Sequence, residues 1–383
     1  MRNKRLDVLR CIAVLTIVIY HSLAVWSPTF MDWGWVGVDL FFVLSGFLIS
    51  GLLYSEYKKR GNISFGRFFV RRGFKIYPAF YVLLIVTFCA DLVLGTHRTL
   101  GAYLREIFFV QNYAYGIWAH TWSLAVEEHF YIFLPLLFLF LTRFSVNRDN
   151  PFRMVPWIFA FIATACLAAR AASIYLTSPA VFRYQMIMNP THLRIDALFF
   201  GVFLGYLHHF RPELLETSLR SHSNQLAIGA LTILFLSCCV VFSRDSHFLL
   251  IFGLSFLYLG FGGLLMLSLH VNNVLPTRLA ALMSKVGTAC AFVGMYSYSI
   301  YLWHPAVGSW APGVIRRVLH IQFSGWMLYA FFIWGGVAFG ILMGKIIELP
   351  VTRIRDRLFP APNKRVMVPP SDLKQNPVPS VPV

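Results

Sequence analysis

A succession of apolar stretches, each about twenty residues long, leaves this chain one environment in which to fold. Runs long enough to cross about 30 Å of hydrocarbon are read near 6–26, 35–54, 76–95, 122–142, 154–174, 193–208, 225–243, 247–269, 288–308 and 325–347. With 58% hydrophobic and 13% charged residues over 383 positions, a water-soluble globular domain is excluded. The expected fold is an all-α polytopic integral membrane protein of about ten transmembrane helices.

Charge then orients the helices. A formal net charge of +17 would point to nucleic acid in a soluble protein, but here Lys and Arg gather in short segments between apolar runs. Lys58 to Arg60, Arg67 to Lys75, Arg143 to Arg153, Arg211 with Arg220, and Arg278 with Lys285 all fall on one side if ten helices are counted. That is the positive-inside pattern, and it places both termini in the cytoplasm. Arg98, Arg105, Arg183, Arg316 and Arg317 form a lighter set on the other side. Residues 1–350 are read as one membrane domain, and 351–383 as a basic, then Pro-rich cytoplasmic tail without fixed structure. The longest external loop, near 96–120, is expected to lie against the membrane. The six cysteines show no metal-ligand spacing and are read as small core hydrophobes.

Ionisable groups inside such runs cost a few kcal/mol unless they face protein or water. Arg10 and His21 lie eleven residues apart in the first run. On a helix that is roughly 16 Å of depth and about 20° of rotation, so one face carries a cation below an imidazole. A histidine that only hydrogen-bonds a neighbouring helix is the rival reading. Counting about 1.5 Å per residue brings His21, Asp39, Glu127, Glu128 and His304 to one outer level, as if sharing a hydrated cavity. Such a group suits proton abstraction from a hydroxyl, with His21 as base and a carboxylate fixing its tautomer. Glu127 and Glu128 are about 100° apart, and the sequence leaves open which of them faces His21. Asp39 also reads as a helix cap or solvated end residue. His304 is placed beside the bound acceptor.

At the opposite level, RRGFKIYP (71–78) brings Arg71, Arg72 and Lys75 near the depth of Arg10. Guanidinium forks and an ammonium together suit a phosphate-rich ligand, and two separated levels suit a long molecule such as a coenzyme A thioester. Simple cytoplasmic anchoring accounts for Lys58 to Arg60. It accounts poorly for Arg10, about one turn inside its run.

Several ordered motifs resemble the acyltransferase-3 family of membrane O-acyltransferases. They are RLDVLRCIAVLTIVIYH (5–21), GVDLFFVLSGFLIS (37–50), RRGFKIYP, TWSLAVEEHFYIFLPLL (121–137), THLRIDALFFG (191–201) and YSYSIYLWHPA (296–306). In that family a basic residue and a first-helix histidine required for acyl transfer look like the counterparts of Arg10 and His21. The family's Arg-x-x-Arg falls on Arg72 and Lys75, so the second arginine is replaced here. His129 stands where Gln is common. The resemblance implies a bacterial inner-membrane enzyme that passes an acyl group, acetyl above all, from cytoplasmic acyl-CoA to a carbohydrate or glycolipid hydroxyl at the periplasmic side. It implies no metal and no nucleic acid. The chain resembles the stand-alone type, without an esterase-like domain. Direct transfer and a covalent acyl-histidine are both open. A proton-coupled transporter or flippase is the alternative, weakened by the lack of an inverted repeat or paired broken helices.

Overall fold

A computed structural model describes residues 3–23, 34–177, 185–241, 247–270, 277–320 and 325–360. No strand occurs among them. The helices are α1 (Lys4–Leu23), α2 (Gly37–Arg60), α3 (Phe65–Leu94), α4 (Leu100–Ile107), α5 (Trp122–Phe144), α6 (Val155–Leu176) and the short α7 (Gln185–Met188). They continue with α8 (Thr191–Phe210), α9 (Pro212–Val241), α10 (His247–His270), α11 (Thr277–Met295), α12 (Ser297–Leu319), α13 (Gly325–Met343) and α14 (Leu349–Leu358). One π-helical turn, Gly344–Glu348, joins α13 to α14. Among the described residues, six helical segments are long and apolar enough to cross a membrane: Gly34–Arg60, Phe65–Leu94, Ala119–Phe144, Val155–Leu176, Leu250–Leu269 and Gly325–Leu358. The chain is an all-α, multi-pass membrane protein.

Helix α1 packs against α2, α11, α12 and α13. The most extensive helix pair is α2 with α8, and its closeness rests on Gly46 and Gly201. A Cβ on Gly46 would lie 1.9 Å from the Leu198 carbonyl oxygen, and one on Gly201 would lie 2.3 Å from that of Val43. Lipid tails are as apolar as leucine, so small residues that let backbones touch replace the missing hydrophobic drive. The same interface buries a charge pair: Arg194 of α8 donates to Asp39 Oδ1 at 2.9 Å, both side chains 1% exposed. Arg170 of α6 pairs with Asp196 of α8 and donates to the Leu193 carbonyl at 2.9 Å and the Ile251 carbonyl of α10 at 3.2 Å. Arg170 is surrounded by oxygen acceptors, and Arg194 has Asp39 beside it and the Phe42 and Trp122 rings near its guanidinium, which is how charge is held in a low-dielectric interior.

Two expectations change here. The apolar run 288–308 is not one span, because helical geometry fails at Tyr296 (φ −101°, ψ 12°) and the chain restarts as α12. Apolar composition alone does not register a one-residue break. Residues 351–358, expected to begin an unstructured tail, form α14 instead and pack on α3. Arg71 and Arg355 both bind Asp356, which gives this charged segment a partner in the fold. Residues 361–383 lie outside the described part.

The loop before α5 is fastened to the protein by a buried carboxylate. Glu106 of α4 is fully buried, and its Oε1 accepts from the Ile117 N–H (2.9 Å), the Trp118 N–H (3.0 Å) and the Thr121 hydroxyl (2.9 Å). Burial raises this carboxyl above its ordinary range, and those three hydrogen bonds act against the rise. The Trp118 indole donates to Thr87 Oγ1 at 3.0 Å, which fastens the loop to α3. The 3₁₀ turn Ala119–Thr121 thereby carries His120 and Thr121 into the interior, with His120 5% exposed.

Gly46→Ala forces the α2–α8 backbones apart and lowers the melting temperature in detergent, while Gly66→Ala, at a site with open space around it, does not. Melting curves of the two purified variants check this. Glu106→Ala orphans three donors at about 1–3 kcal/mol each, whereas Glu106→Gln keeps an acceptor oxygen and loses much less. Equal melting temperatures for the two Glu106 variants would remove this clip from the account of the loop.

Candidate active site

Two cavities lie along α1. The first, about 410 Å³, is lined by Arg10 of α1, Ser45 of α2, Arg72 and Lys75 of α3, Ser123 and Glu127 of α5, and Gly294 to Tyr298 at the break before α12. The second, about 340 Å³, is lined by His21, Trp35, Gln111, Trp118, His120 and Trp122. Val38 and Tyr301 line both cavities, so they form the wall between them. The rotation expected of α1 therefore holds. Arg10 and His21 face the same side and open onto different cavities.

In the first cavity every cation meets a carboxylate. Arg72 lies 3.5 Å from Glu127 Oε2, and its guanidinium carbon sits 3.8 Å from the centre of the Tyr131 ring. Its Nε is buried without a partner among the described residues. Glu127 also accepts from Ser45 Oγ at 3.1 Å and from the Tyr131 hydroxyl. Lys75 pairs with Glu348 of the π-helical turn, whose other oxygen accepts from Ser299 at 2.7 Å. Arg10 lies 3.2 Å from Asp7 Oδ1. The first turn of α12, Ser297 and Tyr298, borders the same space, so the positive end of a helix faces it too. Thr352 and Arg355 of α14 close one edge.

The second cavity holds the imidazoles. His21 Nδ1 lies 2.9 Å from His304 Nε2, and His304 Nδ1 lies 3.1 Å from the Ile300 carbonyl. A carbonyl only accepts, so His304 carries its proton on Nδ1 and accepts at Nε2. His21 therefore donates from Nδ1, which leaves the ring's lone pair on Nε2. His120 stands close by, its ring centre 6.4 Å from that of His21 and 5.5 Å from that of His304. Its Nε2 donates to the Leu302 carbonyl at 3.3 Å. The Tyr301 hydroxyl donates to the His120 carbonyl and lies 2.6 Å from Ser123 Oγ. The described residues contain no group of His, Cys, Asp or Glu arranged to hold a metal ion.

Several expected placements are corrected. Among the described residues no carboxylate orients His21, because Asp39 is spent on Arg194, Glu127 on Arg72 and Tyr131, and Glu128 on the Tyr77 hydroxyl at 3.0 Å. Asp39 makes no side-chain cap either, since Val36 occupies the cap position of α2. Of the adjacent glutamates, Glu127 faces a cavity, but it is the one with Arg72. The depth count fails because it starts α5 at the membrane surface. His120 already sits at the level of His21, so Glu127, seven residues on, is about 10 Å further along the axis. His304 is 0% exposed and lines neither cavity, so it holds His21 rather than a substrate. Arg71 is turned away as well, toward Asp356 and the Phe359 carbonyl. His120, Ser123 and Tyr301 were overlooked. The hydroxyl-rich string Tyr296-Ser-Tyr-Ser299 within an apolar run was the available signal for the break in the helix.

Comparison with known proteins agrees with this architecture. The acyltransferase-3 sequence family, described as an acyltransferase domain, matches residues 3–345. A Staphylococcus aureus (strain COL) protein provisionally named an O-acetyltransferase is 30% identical over 325 residues, covering 79% of this chain and 50% of the relative. The O-acetyltransferase OatA of S. aureus (strain NCTC 8325 / PS 47) is 28% identical over 322 residues, covering 78% of this chain and 49% of that protein. The chain thus spans about half the length of the curated relatives it matches. No solved structure matches it. The family match extends over the helices that carry Arg10, His21, Arg72, Glu127, Tyr301 and His304, and the chain belongs to the acyltransferase-3 family of membrane proteins.

Proposed function

We propose that this protein is a membrane O-acyltransferase. It takes an acyl group, most simply acetyl, from acyl-CoA in the Arg10–Arg72 cavity and passes it to a hydroxyl of a carbohydrate or glycolipid in the His21 cavity. The observation that carries this reading is the pair of cavities meeting at Val38 and Tyr301, one basic and one holding the His21 imidazole. Arg10 and Arg72 are assigned to the phosphates of the donor, helped by the first turn of α12. Lys75 supports that side while paired with Glu348. Tyr20, Trp35, Trp118 and Trp122 give the other cavity the flat aromatic walls against which a sugar ring packs. The protein is assigned to the bacterial cytoplasmic membrane, with the donor entering from the cytoplasm and the acceptor from the outer side.

The chemistry follows from the tautomers. His21 Nε2 takes the proton of the acceptor hydroxyl as its oxygen attacks the thioester carbonyl. The C–S bond then breaks, and the departing sulfur receives the proton from His21. His304 serves as a positioning residue. It accepts from His21 Nδ1 and so keeps the basic lone pair on Nε2. In familiar triads a carboxylate fills this place. Here a neutral imidazole does the orienting.

Three outcomes are expected in purified, reconstituted protein. His21→Ala abolishes acyl transfer, about 10²-fold or more, while CoA binding by calorimetry is kept. His304→Phe lowers kcat with donor affinity unchanged, and His304→Gln recovers part of the loss because an amide oxygen accepts from Nδ1–H. Arg10→Ala weakens acyl-CoA binding about tenfold or more, the usual cost of losing a charge-assisted contact, and 3′,5′-ADP competes with the donor in the parent protein. Unchanged donor affinity in Arg10→Ala would return that residue to a purely structural pairing with Asp7. Release of CoA with acylation of a glycan, in detergent and without any gradient, separates a transferase from a transporter.

A further inference from the structure

Donor and acceptor cavities share one polar residue, Tyr301, and its hydroxyl is part of a short ladder. Because the Tyr301 O–H donates to the His120 carbonyl, the contact of 2.6 Å with Ser123 Oγ requires Ser123 to donate to the Tyr301 oxygen. Ser123 lines the donor cavity, and His120 lines the acceptor cavity. Two hydroxyl protons therefore stand at the one place where a thioester carbonyl can meet both its own cavity and a hydroxyl poised beside His21. Val38, which shares the wall with Tyr301, is apolar. Tyr301 and Ser123 thus offer hydroxyl protons at the wall itself.

We infer that Tyr301 and Ser123 form the oxyanion site of the transfer reaction, an assignment that rests on the acyl-transfer reading above. As the acceptor oxygen attacks, the C=O electrons move onto the carbonyl oxygen. The Tyr301 proton turns from the His120 carbonyl to that oxygen, and the Ser123 proton turns with it. When the intermediate collapses the C–S bond breaks, the thiolate takes the proton held by His21, and both hydroxyls return to their resting bonds. Each rotation is about a single C–O bond, so the switch needs no movement of the backbone. The Tyr301 ring stays in place against Phe41 and His120, whose ring centres lie 6.3 Å and 5.4 Å from its own.

The test needs no acceptor. S-(3,3,3-trifluoroacetonyl)-CoA carries a ketone that adopts a tetrahedral, oxygen-rich form, and S-propyl-CoA lacks it. The parent protein binds the ketone at least about tenfold more tightly than S-propyl-CoA, as expected of a site complementary to developing charge. Tyr301→Phe and Ser123→Ala each shrink that preference and leave S-propyl-CoA affinity unchanged, which also shows that the variants are folded. In turnover, Tyr301→Phe lowers kcat about 10²- to 10³-fold with the donor KM unaltered. A preference that survives in both variants, or that is missing in the parent protein, overturns the oxyanion assignment alone. If neither analogue binds the parent protein, the acyl-CoA reading itself fails, and the inference with it.

Discussion

The break of helical geometry at Tyr296 is the constraint on which the rest of the site depends. By restarting at Ser297, α12 points its positive end into the cavity of Arg10 and Arg72, carries Tyr301 to the wall, and brings His304 behind His21. Even the carbonyl that anchors His120 belongs to this helix, at Leu302. One element therefore sets both ends of the axis along which a donor and an acceptor would meet. Its position is held by α13, where a Cβ on Gly340 would come within 2.4 Å of the Ile300 Cα, and by Glu348, which joins Ser299 of α12 to Lys75 of α3.

Electrostatics explains why so many charges survive in so apolar a chain. Asp39 with Arg194, Asp196 with Arg170, Glu127 with Arg72 and Glu348 with Lys75 are paired across helices, each joining elements that the loops alone would leave free to slide. In the interior such pairs contribute little net stability but make every alternative register costly, since a slip would strand a charge in hydrocarbon. The same pairing has a chemical consequence. With these carboxylates paired to cations, His21 has a second imidazole as its partner, and Ser123 and Tyr301 set two hydroxyls at the wall.

The inward fold of the loop before α5 shows how a tertiary contact can displace a depth estimate by a whole functional level. Glu106 draws the Ile117 and Trp118 N–H groups around itself, and α5 therefore begins beside His21. A residue pair that looked as though it shared a layer with His21, Glu127 and Glu128, is in fact divided between the Arg72 cavity and the α3 face, where Tyr77 takes Glu128.

By itself the sequence determined the all-helical, multi-pass class, because runs of about twenty apolar residues have no other stable arrangement. It also determined that Arg10 and His21 share a face, since helix geometry alone relates residues eleven apart, and its ordered motifs pointed to the family. What it could not settle were relations between helices. Which carboxylate meets which cation, that Arg71 turns toward Asp356, that His304 is sealed behind His21, and that His120, Ser123 and Tyr301 converge on the wall all depend on rotation and depth. Those two quantities are set where helices touch, by backbone contact at Gly46 and Gly201 and by buried charge pairs, and neither leaves a periodic trace in one strand of sequence.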